Sequence, residues 1–89
     1  MRRIVITPVN GKIQNATTEA FRLYVDKHKD LFGDLFPVVT IHNRINIPLI
    51  REISEEELKV ITITLTNAGN IQSVHLEKAN DEPEEDFIY

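Results

Sequence analysis

Between Phe21 and Leu49 the spacing of the apolar residues changes from a helical period to a strand period, and a Gly and a Pro stand at the change. Phe21, Tyr24, Val25, His28, Leu31 and Phe32 recur at steps of three and four, so they share one face of a helix. Arg22, Asp26, Lys29 and Asp30 fall on the wet side. Gly33 can take the left-handed backbone that stops a helix, and Pro37 prevents its resumption. Beyond Pro37 the period is two: Val39 and Ile41, then Ile45, Ile47 and Leu49, alternate with their neighbours. An amphipathic helix has to cover something, and a chain of 89 residues has room for one core. The expected fold class is therefore α+β: a small, mostly antiparallel β-sheet with one amphipathic helix packed on one face, followed by a disordered acidic C-terminal tail.

The remaining segments fill in that sheet. Arg3-Ile4-Val5-Ile6-Thr7 is rich in β-branched residues and stops at Pro8, the pattern of a first strand. Asn10-Gly11 is a strong hairpin signal, so Lys12-Ile13-Gln14 is expected to fold back as a brief second strand, with Asn15 or Thr17 capping the helix. His42-Asn43-Arg44 turns the chain between two later strands. Pro48 cannot donate to a ladder, which makes the 45–49 run an edge strand or one that ends at a bulge. Ser54-Glu55-Glu56-Glu57 fits a capping box and predicts a single helical turn. Ile61, Ile63 and Leu65 alternate with Thr62, Thr64 and Thr66, as in a half-buried strand. After the turn Asn67-Ala68-Gly69-Asn70, the 71–78 run is expected to pair with it as an antiparallel hairpin. In this arrangement Phe21, Tyr24, Val25, Leu31 and Phe32 meet Ile4, Ile6, Ile41, Ile61, Ile63 and Leu65 in the core.

Charge divides the chain in two. Asp81, Glu82, Glu84, Glu85 and Asp86 lie in the last ten residues with no basic neighbour. Setting these five aside from the fourteen acidic residues leaves nine against ten basic ones, a body of formal charge +1. The expected organisation is one α+β domain over residues 1–79 and an acidic-aromatic tail over residues 80–89. A nearly neutral body gives little support to tight, sequence-independent nucleic-acid binding, which rests on many phosphate contacts. The longest apolar runs are far shorter than the ~20 residues of a membrane-spanning helix, and the stretch after Met1-Arg2-Arg3 is too short for a signal peptide. With no cysteine there is no disulfide framework and no thiolate chemistry, which points to the cytoplasm.

Residues that carry chemistry are scattered. His28, His42 and His75 fall in three different elements at no metal-ligand spacing. Ser54 reads as a cap and Ser73 as a strand surface residue, neither beside a base. Gly11, Gly33 and Gly69 are isolated, each explained by a turn or a stop, so no phosphate-binding loop is present. The carboxylates of Glu55-Glu56-Glu57 and of the tail sit in solvated settings that cannot hold one pKa up while another stays down. No enzyme activity, cofactor or metal is expected. Arg2, Arg3, Lys12, Arg44, Arg51 and Lys59 are candidates for a basic stripe along the sheet, with Tyr24 or Phe36 as a stacking surface for a single-stranded nucleic acid.

The tail ends in Phe87-Ile88-Tyr89, apolar side chains for which a purely solubilising segment has no use. Asp-Glu-Pro-Glu-Glu-Asp-Phe-Ile-Tyr resembles the acidic tips of single-stranded-DNA-binding proteins, which dock a terminal aromatic in basic pockets of their partners. The resemblance covers the last ten residues only. It lacks the usual terminal Pro-Phe pair, and the body does not follow the element order of an OB barrel. The other use of Phe87-Ile88-Tyr89 is as a short strand paired back on the sheet.

These readings favour a small non-enzymatic cytoplasmic binding protein, a regulator or inhibitor of a protein partner. The expected contact residues are Asp81, Glu82, Glu84, Glu85, Asp86, Phe87, Ile88 and Tyr89 in the tail, and Arg44 and Asn46 on an exposed sheet edge over residues 44–49. One alternative is a single-stranded nucleic-acid-binding accessory protein whose tail covers its own basic face. The other is a self-assembling subunit that pairs a sheet edge with its own copy.

Overall fold

The computed structural model describes residues 2–78. Its central strand is β1 (Arg2–Pro8), which pairs antiparallel with β3 (Ile45–Pro48) on one side and with β4 (Ile71–Lys78) on the other. The short β2 (Val38–Val39) adds to β3, giving the order β2-β3-β1-β4. The register sets Ile4 beside Ile47 and Leu76, and Ile6 beside Ile45 and Val74. Strand side chains alternate between faces, so these six share one side of the sheet. The four isoleucines are completely buried, each worth about 1.5–3 kcal/mol of hydrophobic stabilisation. Arg3, Val5 and Thr7 point to the other face, together with Asn46, Ser73, His75 and Glu77. The sheet is antiparallel and the class α+β, as the sequence predicts.

The first helix, α1 (Ile13–Lys27), begins earlier than its sequence pattern implies. Gly11 takes φ +82° and Lys12 N–H donates to the Val9 carbonyl at 2.9 Å, so Asn10-Gly11 is a turn leading into a helix rather than a hairpin. The expected strand at Lys12-Ile13-Gln14 does not form. Lys12 occupies the N-cap position, and Asn15 and Thr17 lie inside the helix, where the Thr17 hydroxyl donates to the Ile13 carbonyl at 2.7 Å. A second apolar series, Ile13-Ala16-Ala20-Leu23, runs at helical steps and decides the matter. Ala16, Ala20, Leu23 and Tyr24 are the buried residues of α1, and the two small ones let its backbone approach the sheet closely. The expected core stripe is therefore rotated: Phe21 is 40% exposed and Val25 68% exposed. A five-residue π-helical segment, His28–Phe32, continues α1 and buries both Leu31 and Phe32.

The second helix corrects a larger expectation. Ser54 and Glu57 form the predicted capping box: Ser54 Oγ accepts from Glu57 N–H at 3.1 Å, and the Glu57 carboxylate accepts from Ser54 N–H at 3.2 Å. The helix does not stop after one turn. It runs as α2 from Glu55 to Thr66, through the whole Ile-Thr alternation taken above for a strand. Ile61 and Leu65, four apart, are buried, whereas Ile63 between them is 58% exposed. The threonine hydroxyls are satisfied within the helix, Thr62 donating to the Leu58 carbonyl and Thr66 to the Thr62 carbonyl, both at 2.7 Å. With 61–66 helical, β4 has no hairpin partner there and pairs with β1 instead. Since β3 and β4 are each antiparallel to β1, they are parallel to one another, and α2 is the crossover that such a pair requires. The sheet is thus covered by two helices where the sequence pattern gave one.

The β2–β3 hairpin closes around Thr40, whose N–H donates to the Arg44 carbonyl at 2.8 Å, with Asn43 at φ +58° in the turn. Ile41 lies in this turn and is exposed, outside the expected core. β3 is an interior strand, not the edge expected for residues 44–49. Pro48 is tolerated there because β2 reaches only Ile45 and Asn46, so the missing N–H falls beyond the overlap. Among the described residues the long outer edge belongs to β4. No helix among them is long and apolar enough to cross a membrane. Residues 79–89, which contain the predicted tail, lie outside the described residues.

The helical assignment of 61–66 makes a specific prediction. Ile61→Ala should cost about 2–5 kcal/mol, whereas Ile63→Ala should stay within about 0.5. Urea unfolding of the two variants measures both. In a half-buried strand these residues would share one face and cost the same.

Candidate functional site

The four aromatic residues among those described gather at one place. Tyr24 is the hub, with Phe36 at 5.2 Å between ring centroids, His28 at 5.5 Å, Phe32 stacked at 6.2 Å and Phe21 edge-on at 6.5 Å. Steps of three and four along α1 bring Phe21, Tyr24 and His28 together. Phe32 arrives through the π-helical segment, and Phe36 through the loop that leads into β2. Gly33 permits that loop. Its φ of +56° suits glycine, and a Cβ there would lie 3.2 Å from the Ile50 side chain. The Tyr24 hydroxyl donates to the Gly33 carbonyl at 3.4 Å, a long contact. Tyr24 and Phe32 are buried, yet Phe36 is 62% exposed, and Phe21, Val25 and Leu35 also reach solvent. The outcome is an apolar surface with a rigid aromatic floor.

Behind it, Arg51 locks the π-helical segment to the start of α2. Its guanidinium donates to both Asp30 oxygens, Nη2 at 2.7 Å and Nε at 3.3 Å, and to both Glu57 oxygens, Nη2 at 2.8 Å and Nη1 at 3.1 Å. Nη1 also donates to the Glu52 carbonyl at 2.8 Å. Arg51, helped by the Ser54 N–H, holds the Glu57 carboxyl down to about 2, and it holds Asp30 below its ordinary value. The two carboxylates in turn raise Arg51 further above its usual range. Next to this hub the Ile50 N–H donates to the Leu31 carbonyl at 2.8 Å. The loop that carries Phe36 therefore leaves from an anchored segment.

A second ionic group lies on the helix-free face. His75 Nε2 is 2.8 Å from Glu77 Oε2, and Arg3 Nη2 donates to Glu77 Oε1 at 3.4 Å. His75 first, and then Arg3, hold Glu77 below its ordinary pKa. Both ionic groups join elements of the fold, and Glu57 of the first also lines an open surface groove. Two surface grooves run between α1 and α2. One pairs Leu23 and Leu65 with Glu19, Arg22 and Asp26; the other pairs Leu31 and Ile61 with Lys27, Glu56 and Glu57. No group of three or more metal-ligating side chains occurs among the described residues.

The residues singled out from sequence disperse. Arg44 is exposed in the β2–β3 turn, but Asn46 is only 4% exposed, on the helix-free face of an interior strand. Its Oδ1 has no hydrogen-bond partner among the described residues. Asp81, Glu82, Glu84, Glu85, Asp86, Phe87, Ile88 and Tyr89 lie outside the described residues. The candidate basic stripe does not assemble on one side of the sheet: Lys12 caps α1, Arg51 is held by two carboxylates, and Lys59 sits on α2. His28 joins the aromatic cluster, while His42 lies in the β2–β3 turn and His75 on β4. The sequence reading offers Phe36 as a stacking surface but misses that Phe21, Val25 and Leu35 are exposed as well. The available signal was Leu35-Phe36 in a loop bounded by Gly33 and Pro37, where no core demands such side chains. Comparison with protein-family models, curated proteins and solved structures finds no match.

Depressed carboxyl pKa values stabilise the fold above the unfolded values and cease to do so as pH falls through the folded ones. For Asp30 and Glu57 that window runs from the ordinary 4.5 of Glu57 down to about 2. The thermal midpoint should be nearly flat above this window and fall within it. Arg51→Met should lower the midpoint at neutral pH and make the acid fall shallower. A midpoint-against-pH profile of equal steepness in both proteins would show that the hub is not responsible.

Proposed function

We propose that this protein is a small non-enzymatic cytoplasmic binding protein, a regulator or inhibitor that docks a protein partner on the aromatic surface around Phe21 and Phe36. The observation that carries this reading is the exposure of Phe36 and Phe21 over a buried Tyr24–Phe32 floor. Large apolar side chains that reach solvent together, on a pre-ordered base, match the composition of interface hot spots. The fitting partner offers aliphatic or aromatic side chains from a helix or loop, because flat ring faces supply area and little hydrogen bonding. Among the described residues the perturbed titratable groups lie in ion pairs that tie elements together, which supports a binding role over a catalytic one. Residues Asp81 to Asp86 complete the proposal as a steering segment toward a basic patch on the partner, and Phe87-Ile88-Tyr89 as its second apolar contact.

The test is affinity measurement with the partner captured by the full chain. Phe36→Ala should weaken binding by about 30-fold, the scale of a 2 kcal/mol hot spot, while lowering the unfolding free energy by no more than about 1.5 kcal/mol, the scale of its ring contact with Tyr24. Neutralising the five tail acids should slow association and flatten its salt dependence. Phe36→Ala and Phe21→Ala proteins that bind as tightly as the native chain would remove the aromatic surface from the interface.

A further inference from the structure

We infer that the protein pairs with a second copy of itself through the outer edge of β4, antiparallel and centred on His75, to give a continuous eight-stranded sheet. This surface is separate from the aromatic one, which lies on the flank of α1 toward β2. Among the described residues β4 is the last strand of the sheet and runs for eight residues, so one row of its backbone N–H and C=O groups faces outward. Proteins normally protect such an edge with proline, lysine or a bulge. β4 has a bulge at its start, where the register with β1 skips Gln72, and Lys78 at its end. The regular stretch between them, Ser73-Val74-His75-Leu76-Glu77, has no proline, lysine or bulge, and its one carboxylate, Glu77, is held by Arg3 and His75. The other outer strand, β2, has only two residues and offers no comparable template.

The sequence of this stretch selects both the occupant and the register. Antiparallel pairing keeps side chains of one face opposite each other, so the two-fold axis must pass through a residue paired with its own copy. Centring on Val74 sets the bulged Gln72 against Leu76. Centring on Leu76 sets Val74 against Lys78. Centring on His75 pairs all five regular residues, 73–77, with 77–73 of the second copy. On the helix side Val74 then meets Leu76 twice. Both are half-buried residues already packed against the core cluster, so the apolar layer continues across the junction. On the other face Ser73 opposes Glu77, and each Glu77 lies diagonally from the second copy's His75, within reach of a favourable charge contact. The two His75 rings oppose each other at the axis, each beside its own Glu77 carboxylate, and no two carboxylates or ammonium groups of the paired stretch face each other.

The chain has no cysteine, so single cysteines report the register directly. A disulfide needs Cα atoms within about 7 Å. His75→Cys should therefore form a covalent dimer under mild oxidation at least tenfold faster, as a rough threshold, than Ser73→Cys or Glu77→Cys, whose own copies lie about 13 Å away at ~3.3 Å per residue. A mixture of Ser73→Cys and Glu77→Cys proteins should cross-link to each other, since those positions are opposed. The native chain should sediment with a concentration-dependent mass approaching two copies. A mass of one copy throughout the micromolar range, or equal cross-linking rates for all three variants, would overturn the inference.

Discussion

Everything in this fold is placed relative to β1. It is the one strand paired on both sides along most of its length, and its alternation decides which side of the sheet meets the helices. Ile4 and Ile6 stand in line with Ile45 and Ile47 to one side and with Val74 and Leu76 to the other. A slip of one residue in either ladder would turn Arg3, Val5 and Thr7 toward the helices and take the isoleucines away from the core cluster. The register is therefore enforced by burial rather than by any turn. Once it is set, β3 and β4 run parallel with β1 between them, and α2 has to cross over. That crossover lays Ile61 and Leu65 on the same layer to which α1 contributes Ala16, Ala20 and Leu23.

The end of α1 shows how a local departure from regular helix serves the tertiary structure. In a π-helical segment each turn holds more residues than in an α-helix, which rotates the following side chains relative to those before. Here Leu31 and Phe32 both point into the core, and the loop beyond Gly33 brings Phe36 back to Tyr24. The Leu31 carbonyl finds its donor outside the helix, at Ile50 N–H, and the neighbouring Arg51 grips Asp30 on the same segment and Glu57 on α2. Each of these exposed contacts is individually modest. Their value lies in sharing one guanidinium, which adds α2 to the pair of segments that the Ile50–Leu31 backbone hydrogen bond already joins.

What the sequence made legible was chiefly local. The first strand, the stop at Gly33, the turn at His42-Asn43-Arg44 and the capping box at Ser54 each depend on a few adjacent residues, and each is where the pattern put it. Ile61 to Thr66 defeated the reading because strict alternation of β-branched residues fits a strand by period and propensity alike. The competing signal, Leu58-Ile61-Leu65 following a complete capping box, is helical, and burial of that stripe outweighs the weaker propensity of Thr and Ile. The partner of β4 was then assigned wrongly as a consequence. Phe21 and Val25 were misplaced for another reason. Two overlapping stripes run along α1, and only the tertiary structure shows that the one with two alanines faces the sheet. Phe36 stands out in the sequence as a possible stacking surface, but the same overlap of stripes assigns Phe21 to the core and so hides that the two rings belong to one exposed surface.

The two proposed surfaces lie at opposite ends of the sheet, and their geometry constrains one another. Pairing through β4 would put β2 and its neighbouring aromatic surface at the two outer ends of eight strands. Seven interstrand spacings of about 4.8 Å separate those ends by roughly 34 Å. Twist accumulates over the same distance at about 20–25° per strand, so the ends are turned by well over a right angle relative to each other. A rigid partner with a flat interface cannot lie against both. The paired form would then hold two partner molecules, one at each end, and would gain avidity only from partners that are themselves linked or arrayed, through a raised effective concentration. A linker able to span the ends must reach around the twisted sheet rather than straight across it. Self-pairing at β4 therefore leaves the intrinsic affinity of each aromatic surface unchanged and alters only how many partners one assembly can hold together.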